Sequence, residues 1–345
     1  MPTSQHIPLV QGIWWVWFWY LVDRNRSTLR PQASKARVIA STINEYPMPS
    51  ISFIVSTIEY SGREDRLRQV IAMLAQQQGD HEIVLVWQGQ DDGRAPAFPG
   101  VKVIPVRFFS SSAARNVGAS VAQGELLCFL DDDTFPVERD FLRRVSDAMR
   151  DRDIDFVTCN IASSGNVMAG EAVDRDVVLD RKSIIPHMWE PGLTIRRADF
   201  EKIGFDPTIG IGCIHGSSEG FDLGYRLLVA GYRGQRLAGL LIDHPPLDTA
   251  GDYRVERSFY YSLGNGAVLV QHRYYGTYAW QIAKTFGRFG ISLLRGDRAR
   301  AKASFVRALC MILGPLIPRR PARIIPLASA VAVAEQAKTI RDLAA

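Results

Sequence analysis

The segment Leu127-Cys128-Phe129-Leu130-Asp131-Asp132-Asp133 sets an apolar run directly against three consecutive carboxylates. The apolar residues read as a buried strand, and the charges sit where that strand ends. Three adjacent anions repel one another, so the arrangement costs stability unless something positive lies beside it. A divalent cation is the simplest compensation, because hard cations take oxygen ligands. An isolated acidic triplet also suits a solvated turn or a helix cap, and Thr134-Phe135-Pro136 is able to open a helix. The preceding strand and the flanking motifs favour a metal at the carboxyl end of a sheet, where open α/β folds bind ligands.

The surrounding sequence alternates between the two periods. Strands are predicted at Ile51–Thr57, Glu82–Trp87, Val101–Ile104, Glu125–Leu130, Phe156–Asn160, Leu193–Arg197 and Gly239–Ile242. Between them, Leu67, Val70, Ile71 and Leu74 recur at helical spacing. Further helices are predicted over Ala113–Val121, Phe141–Met149 and Glu219–Ala230, with residues 163–192 irregular. Alternation of this kind predicts an α/β fold with a mostly parallel sheet flanked by helices. The 345 residues are 47% hydrophobic and 22% charged, which supports a full core. Three regions are expected: a Trp-rich segment and linker at 1–49, an α/β domain at 50–250, and a helical extension at 251–345. Cys128, Cys159, Cys213 and Cys310 lie far apart, which argues against a disulfide framework and for a reducing compartment.

Both ends carry their own signal. Ile13 to Val22 is apolar and rich in Trp, short for a membrane span but suited to an interface, where an indole satisfies apolar and polar surroundings together. An element covering an apolar surface of the domain is the equal alternative. Residues 251–345 hold 15 Lys/Arg against 5 Asp/Glu, about +10, while the remainder of the chain is about −5. Ile282, Phe286, Phe289 and Leu293 fall on one helical face, and Lys284, Arg288 and Arg295 on another. Such a basic amphipathic pattern suits an anionic membrane surface or a flap packed on the domain. Peripheral membrane contact is expected, and no nucleic-acid partner.

Several short motifs fall in a telling order. Ser56-Thr57-Ile58-Glu59 ends the first strand, and Arg115-Asn116-Val117-Gly118-Ala119 opens a helix. The acidic triplet follows, then Gly216-Ser217-Ser218-Glu219-Gly220-Phe221-Asp222, then Asp243-His244-Pro245. Residues 50–250, and above all the stretch from Arg115 to Pro136, resemble the inverting nucleotide-sugar glycosyltransferases of family 2, with the GT-A fold. That resemblance implies a Rossmann-like sheet and a metal-dependent transfer of a sugar from a nucleotide-diphosphate donor to a saccharide or lipid-linked acceptor. It further implies a role in cell-surface polysaccharide synthesis, at the cytoplasmic face of the plasma membrane.

The resemblance also implies roles for individual residues. Asp131, Asp133 and His244 would hold Mn2+ or Mg2+, which neutralises the charge developing on the leaving diphosphate. Side chains alternate along a strand, so Asp131 and Asp133 share one side and Asp132 points away. Ser56, Thr57, Glu59, Gln88, Arg115, Asn116, Asp131 and Asp132 would contact the donor. An inverting reaction needs a base for the acceptor hydroxyl, and the family usually has Glu-Asp at the start of the later helix, the Asp being the base. This chain has Glu219-Gly220, so Glu219 is the first candidate and Asp222 the second. The departure at Gly220 also motivates a different reading, a catalytically impaired protein that binds sugar nucleotides on the same fold. The glycines from Gly210 to Gly216 are expected to form a flexible loop over the acceptor.

Overall fold

A computed structural model describes residues 50–58, 64–89, 95, 97–163, 166–167, 172–245 and 253–321. The Trp-rich segment, the linker and Glu59 lie outside the described residues.

Strand β1 (Ile51–Ile58) is buried at every position but its last, on both faces, as its apolar centre Phe53-Ile54-Val55 suits. It pairs in parallel with β2 (His81–Gln88) on one side and β4 (Leu126–Asp131) on the other, while β3 (Val101–Val106) extends the sheet beyond β2. Helix α1 (Glu64–Leu74) connects β1 to β2 and buries Leu67, Val70, Ile71 and Leu74, the four positions its periodicity selects.

Helix α2 (Ser111–Val121) begins two residues before the expected start, because Ser110 is its cap and accepts a hydrogen bond from the Ala113 amide at 3.2 Å. Its Gly118 lies against β1: a Cβ there would be 2.4 Å from Ile54 Cγ2. The glycine of the Arg-Asn-x-Gly motif is thus a packing requirement that lets α2 approach the sheet.

Beyond β4 come the short β5 (Phe135–Pro136), helix α3 (Phe141–Asp151), β6 (Phe156–Ser163), β7 (Asn166–Val167), β8 (Val177–Leu179) and helix α4 (Ile184–His187). Strand β9 (Leu193–Arg196) then inserts antiparallel between β4 and β6. Helices α5 (Arg197–Ile203) and α6 (Glu219–Val229) lead to β10 (Gly234–Asp243). The sheet order is β3-β2-β1-β4-β9-β6-β10-β5, with β7 and β8 attached at β6 and β10. β10 starts five residues before the sequence-based expectation and shifts register between Leu237 and Leu241, which hides its period.

Helices α7 (Tyr253–Gln271), α8 (Tyr275–Leu294) and α9 (Arg298–Leu313) follow. Val268, Leu269 and Met311 share one core with Phe129, Phe200, Phe205, Leu223 and Leu227. The described part of 251–345 is therefore packed through apolar contacts onto the α/β sheet, and the described residues form one compact unit. All four cysteines are buried and free.

Candidate active site

Ser56 and Asp131 are register partners at the carboxyl ends of β1 and β4. From there the three acids diverge. Asp131 Oδ1 accepts a hydrogen bond from Arg115 Nη2 at 2.7 Å. Asp132 turns inward, as strand alternation predicts, and accepts from Thr57 Oγ1 at 2.6 Å. The Asp133 carbonyl accepts from Arg66 Nε and Nη2 at 3.2 and 2.8 Å, and the same Nη2 reaches Asp243 Oδ2 at 2.8 Å. Thr134 closes the turn, its hydroxyl accepting from the Asp131 amide at 2.8 Å. Two arginines, one on α2 and one on α1, therefore supply part of the positive charge that the triplet demands.

A hard divalent cation suits these residues in kind, since carboxylate oxygens gather at one end of the sheet. They do not suit it in number: among the described residues no group of three or more His, Cys, Asp or Glu side chains is close enough to hold a metal. The expected set of Asp131, Asp133 and His244 is not assembled by the fold alone. The His244 ring places Nδ1 2.6 Å from the Pro245 carbonyl. A carbonyl only accepts, so Nδ1 is the donor in this contact.

Arg115, 3% exposed, is the hub of the site. Its Nη1 lies 3.4 Å from Glu219 Oε1, and its guanidinium stands over the Phe205 ring at 5.4 Å. Burial works against its charge, but Asp131, Glu219 and Glu190 outweigh burial and hold it above its ordinary value. Its buried Nε has no hydrogen-bond partner among the described residues. The candidates Ser56, Thr57, Arg115, Asp131, Asp132 and Glu219 thus form one connected neighbourhood around the ends of β1 and β4.

Other candidates are committed to the scaffold. Asn116 binds the Phe205 backbone: its Nδ2 donates to the Phe205 carbonyl at 2.8 Å and its Oδ1 accepts from the Phe205 amide at 2.9 Å. Gln88 clamps the backbone in the same manner, donating to the Thr57 carbonyl at 3.3 Å and accepting from the Ser110 amide at 2.7 Å. Asp222 is fully buried, with one oxygen 2.8 Å from Arg226 Nε and the other 2.8 Å from His272 Nε2. Burial raises its carboxyl, but His272 and Arg226 outweigh burial and hold it below the usual range. That carboxylate fastens α6 to the end of α7.

Glu219, the first candidate for the base, is buried and accepts from Ser111 Oγ at 2.9 Å besides its pair with Arg115. The residue before it, Ser218, has φ +74°, a left-handed conformation that a non-glycine residue adopts at some cost and that sets the direction of α6. The loop from Gly210 to Gly216, expected to be flexible, is packed instead. Its Ile211 carbonyl accepts from the Ser111 amide at 2.8 Å, Ser112 Oγ donates to the Ile209 carbonyl at 2.6 Å, and the buried His215 Nε2 lies 3.0 Å from the Gly314 carbonyl.

Arg66 and Glu190 escaped the sequence reading, and Asp243 entered it only as part of the Asp243-His244-Pro245 motif, without a role. Arg66 and Asp243 are distant in sequence, and only their bond shows the link. Glu190 left a weak signal, a lone acid between Trp189 and Pro191-Gly192, just ahead of a strand already predicted. It is partly exposed, and its Oε1 accepts from the Gly220 amide at 2.5 Å.

The model of the family described as Glycosyl transferase family 2 matches residues 52–204. No curated protein gives a significant match. Among solved structures, TarS from S. aureus is similar, with 18% sequence identity and a TM-score of 0.45 over 65% of this chain. The aligned part spans 42% of TarS, under half of its length. The family match runs from β1 to just past α5, taking in Arg115, the triplet and Glu190, and leaving Glu219, Asp222 and His244 beyond it. Residues 52–204, from β1 to just past α5, are thus similar to the family described as Glycosyl transferase family 2.

Proposed function

We propose that the protein is an inverting glycosyltransferase that moves a sugar from a nucleotide-diphosphate donor to a saccharide or lipid-linked acceptor in cell-surface polysaccharide assembly. The observation that carries the reading is the Arg115 hub, a buried cation shared by Asp131 and Glu219 at the carboxyl ends of β1 and β4. Such a site positions an anionic donor at the sheet edge where α/β folds bind ligands. Arg115 offers charge-assisted hydrogen bonds to phosphate, and Arg66 steadies the turn that presents Asp133. Asp131 and Asp133 would share a divalent cation with the donor's own phosphate oxygens, since the fold supplies too few ligands by itself. When bound, that ion would neutralise charge on the departing diphosphate.

The test is release of nucleoside diphosphate across a panel of sugar nucleotides with Mn2+ or Mg2+. The expected result is acceptor-dependent release by the wild type and a loss of about 100-fold or more in Asp133→Ala. Equal release in both proteins would remove Asp133 from the reaction. Gly220 favours a second reading, a protein that binds sugar nucleotides without turning them over. Donor binding with no release across the panel is its signature.

The same proposal places the protein at an anionic membrane surface. Helix α8 buries Thr285 and Ser292 while exposing Trp280, Phe286, Ile291, Leu293 and Leu294. This polarity is the reverse of a helix packed only against a core. Lys284, Arg288 and Arg300 add positive charge to the same pair of helices. Burial, then the nearby Arg288 and Arg307, hold Lys284 below its ordinary value, a sign of crowded cations that an anionic surface relieves. Among the described residues, no helix is long and apolar enough to cross a membrane.

A further inference from the structure

Gly220 is the position where the family's acid is missing, and the structure shows what fills its place. A Cβ built on Gly220 would lie 2.4 Å from Glu190 Oε1 and 2.6 Å from Glu190 Cδ. The Glu190 carboxylate occupies the volume that a side chain at residue 220 would need. It is held there by the Gly220 amide, which donates to Oε1 at 2.5 Å.

The route by which Glu190 arrives is topological. Strand β9 is antiparallel to β4, with Leu193 opposite Phe129, and the Gly192 amide donates to the Phe129 carbonyl at 2.8 Å. The start of β9 therefore lies at the end of β4, and residue 190 meets Asp131, Arg115 and Glu219 from across the sheet.

We infer that Glu190 is the catalytic base, its carboxylate standing in for the acid absent at residue 220 and receiving the acceptor hydroxyl proton. This rests on the glycosyl-transfer reading. The acceptor oxygen attacks the anomeric carbon, the bond from that carbon to the diphosphate oxygen breaks with its electron pair, and the hydroxyl proton passes to Glu190 Oε2. Glu190 returns that proton to water after the product leaves.

Glu219 is poorly suited to the same task. It is enclosed by Ser111, Arg115 and Gly210, whose Cβ would come 3.0 Å from its Cδ. Ser111 Oγ and Arg115 Nη1 both engage its Oε1 inside that enclosure. Glu190 is partly exposed and, among the described residues, forms no ion pair. The charged groups facing it are Glu219 on α6, Arg115 on α2 and Asp131 at the end of β4; burial and Glu219 outweigh Arg115 and push its carboxyl up to about 7.

The test compares Glu190→Gln with the wild type, measuring donor affinity by calorimetry and turnover by nucleoside-diphosphate release. The glutamine keeps the Gly220 hydrogen bond and the volume, so the thermal midpoint is expected to hold. Turnover is expected to fall by about 100-fold or more, with donor affinity within about 2-fold. The wild-type kcat/KM should rise with pH through about 7, because the base acts only when deprotonated, and Glu190→Gln should lose that limb. Glu190→Ala is expected to be equally impaired, and adding Gly220→Asp to it should restore part of the turnover, since the vacated volume then admits an acid. Wild-type turnover with an unchanged rate in Glu190→Gln overturns the assignment alone. Absence of turnover in the wild type across the panel overturns the glycosyl-transfer reading and the base with it.

Discussion

At the scale of single residues, burial and partners decide which acids are available for chemistry. Asp131, Glu190, Glu219 and Asp222 are acids in or beside the site, yet each has a different fate. Asp222 gives its oxygens to Arg226 and His272 inside the fold, so it is an anchor. Asp222→Asn should destabilise the protein by about 3 kcal/mol at neutral pH, because it leaves buried donors poorly matched. Its carboxyl is held below the ordinary range, so that stability is present above the unfolded value of about 4 and is lost as pH falls through the folded one. Chemical denaturation at pH 7 and pH 3 checks this: the gap between wild type and variant should narrow at pH 3, and a constant gap would refute the linkage.

The elements were legible where the local period was clean. Leu67, Val70, Ile71 and Leu74 mark the buried face of α1 without ambiguity, and the apolar run of β1 marks a strand covered on both sides. The irregular stretch before β9 was not legible, since β7, β8 and α4 span two to four residues each and depend on pairing with distant strands. The close approach of α2 to β1 shows how a motif glycine serves an element. Gly118→Ala sets a Cβ 2.4 Å from Ile54 Cγ2, and overpacking of this kind costs about 1–3 kcal/mol. Thermal unfolding should show a midpoint several degrees lower, with Ile54→Leu in the same chain, which removes the Cγ2 methyl, recovering part of the loss. A Gly118→Ala midpoint equal to wild type would mean the helix simply shifts.

At the scale of the whole molecule, the C-terminal helices pack on the sheet and carry the proposed membrane face. Leu269 and Met311 join the core beside Phe205, while Leu294 stands 90% exposed at the end of α8. Exposed apolar side chains amid lysines and arginines define the proposed membrane face. Trp280→Glu combined with Leu294→Glu alters only exposed positions and should leave the fold intact. Cosedimentation with vesicles containing phosphatidylserine is expected to weaken about 10-fold or more and to be salt-sensitive in the wild type. Binding that is identical in both proteins would show that this face is not the one that meets lipid.

The sequence by itself determined the α/β alternation, the parallel strands around β1, and the junction of an apolar strand with three carboxylates. Each is carried by neighbours in the chain, where periodicity and charge are visible. Tertiary structure alone decided the use of those residues. The antiparallel insertion of β9 brings Glu190 to the end of β4, and the missing Cβ of Gly220 gives its carboxylate room. The same packing pairs the triplet with Arg66 and Arg115. Contacts between residues 30 to 100 positions apart depend on strand direction and on distances of a few ångströms, and neither leaves a local period in the chain.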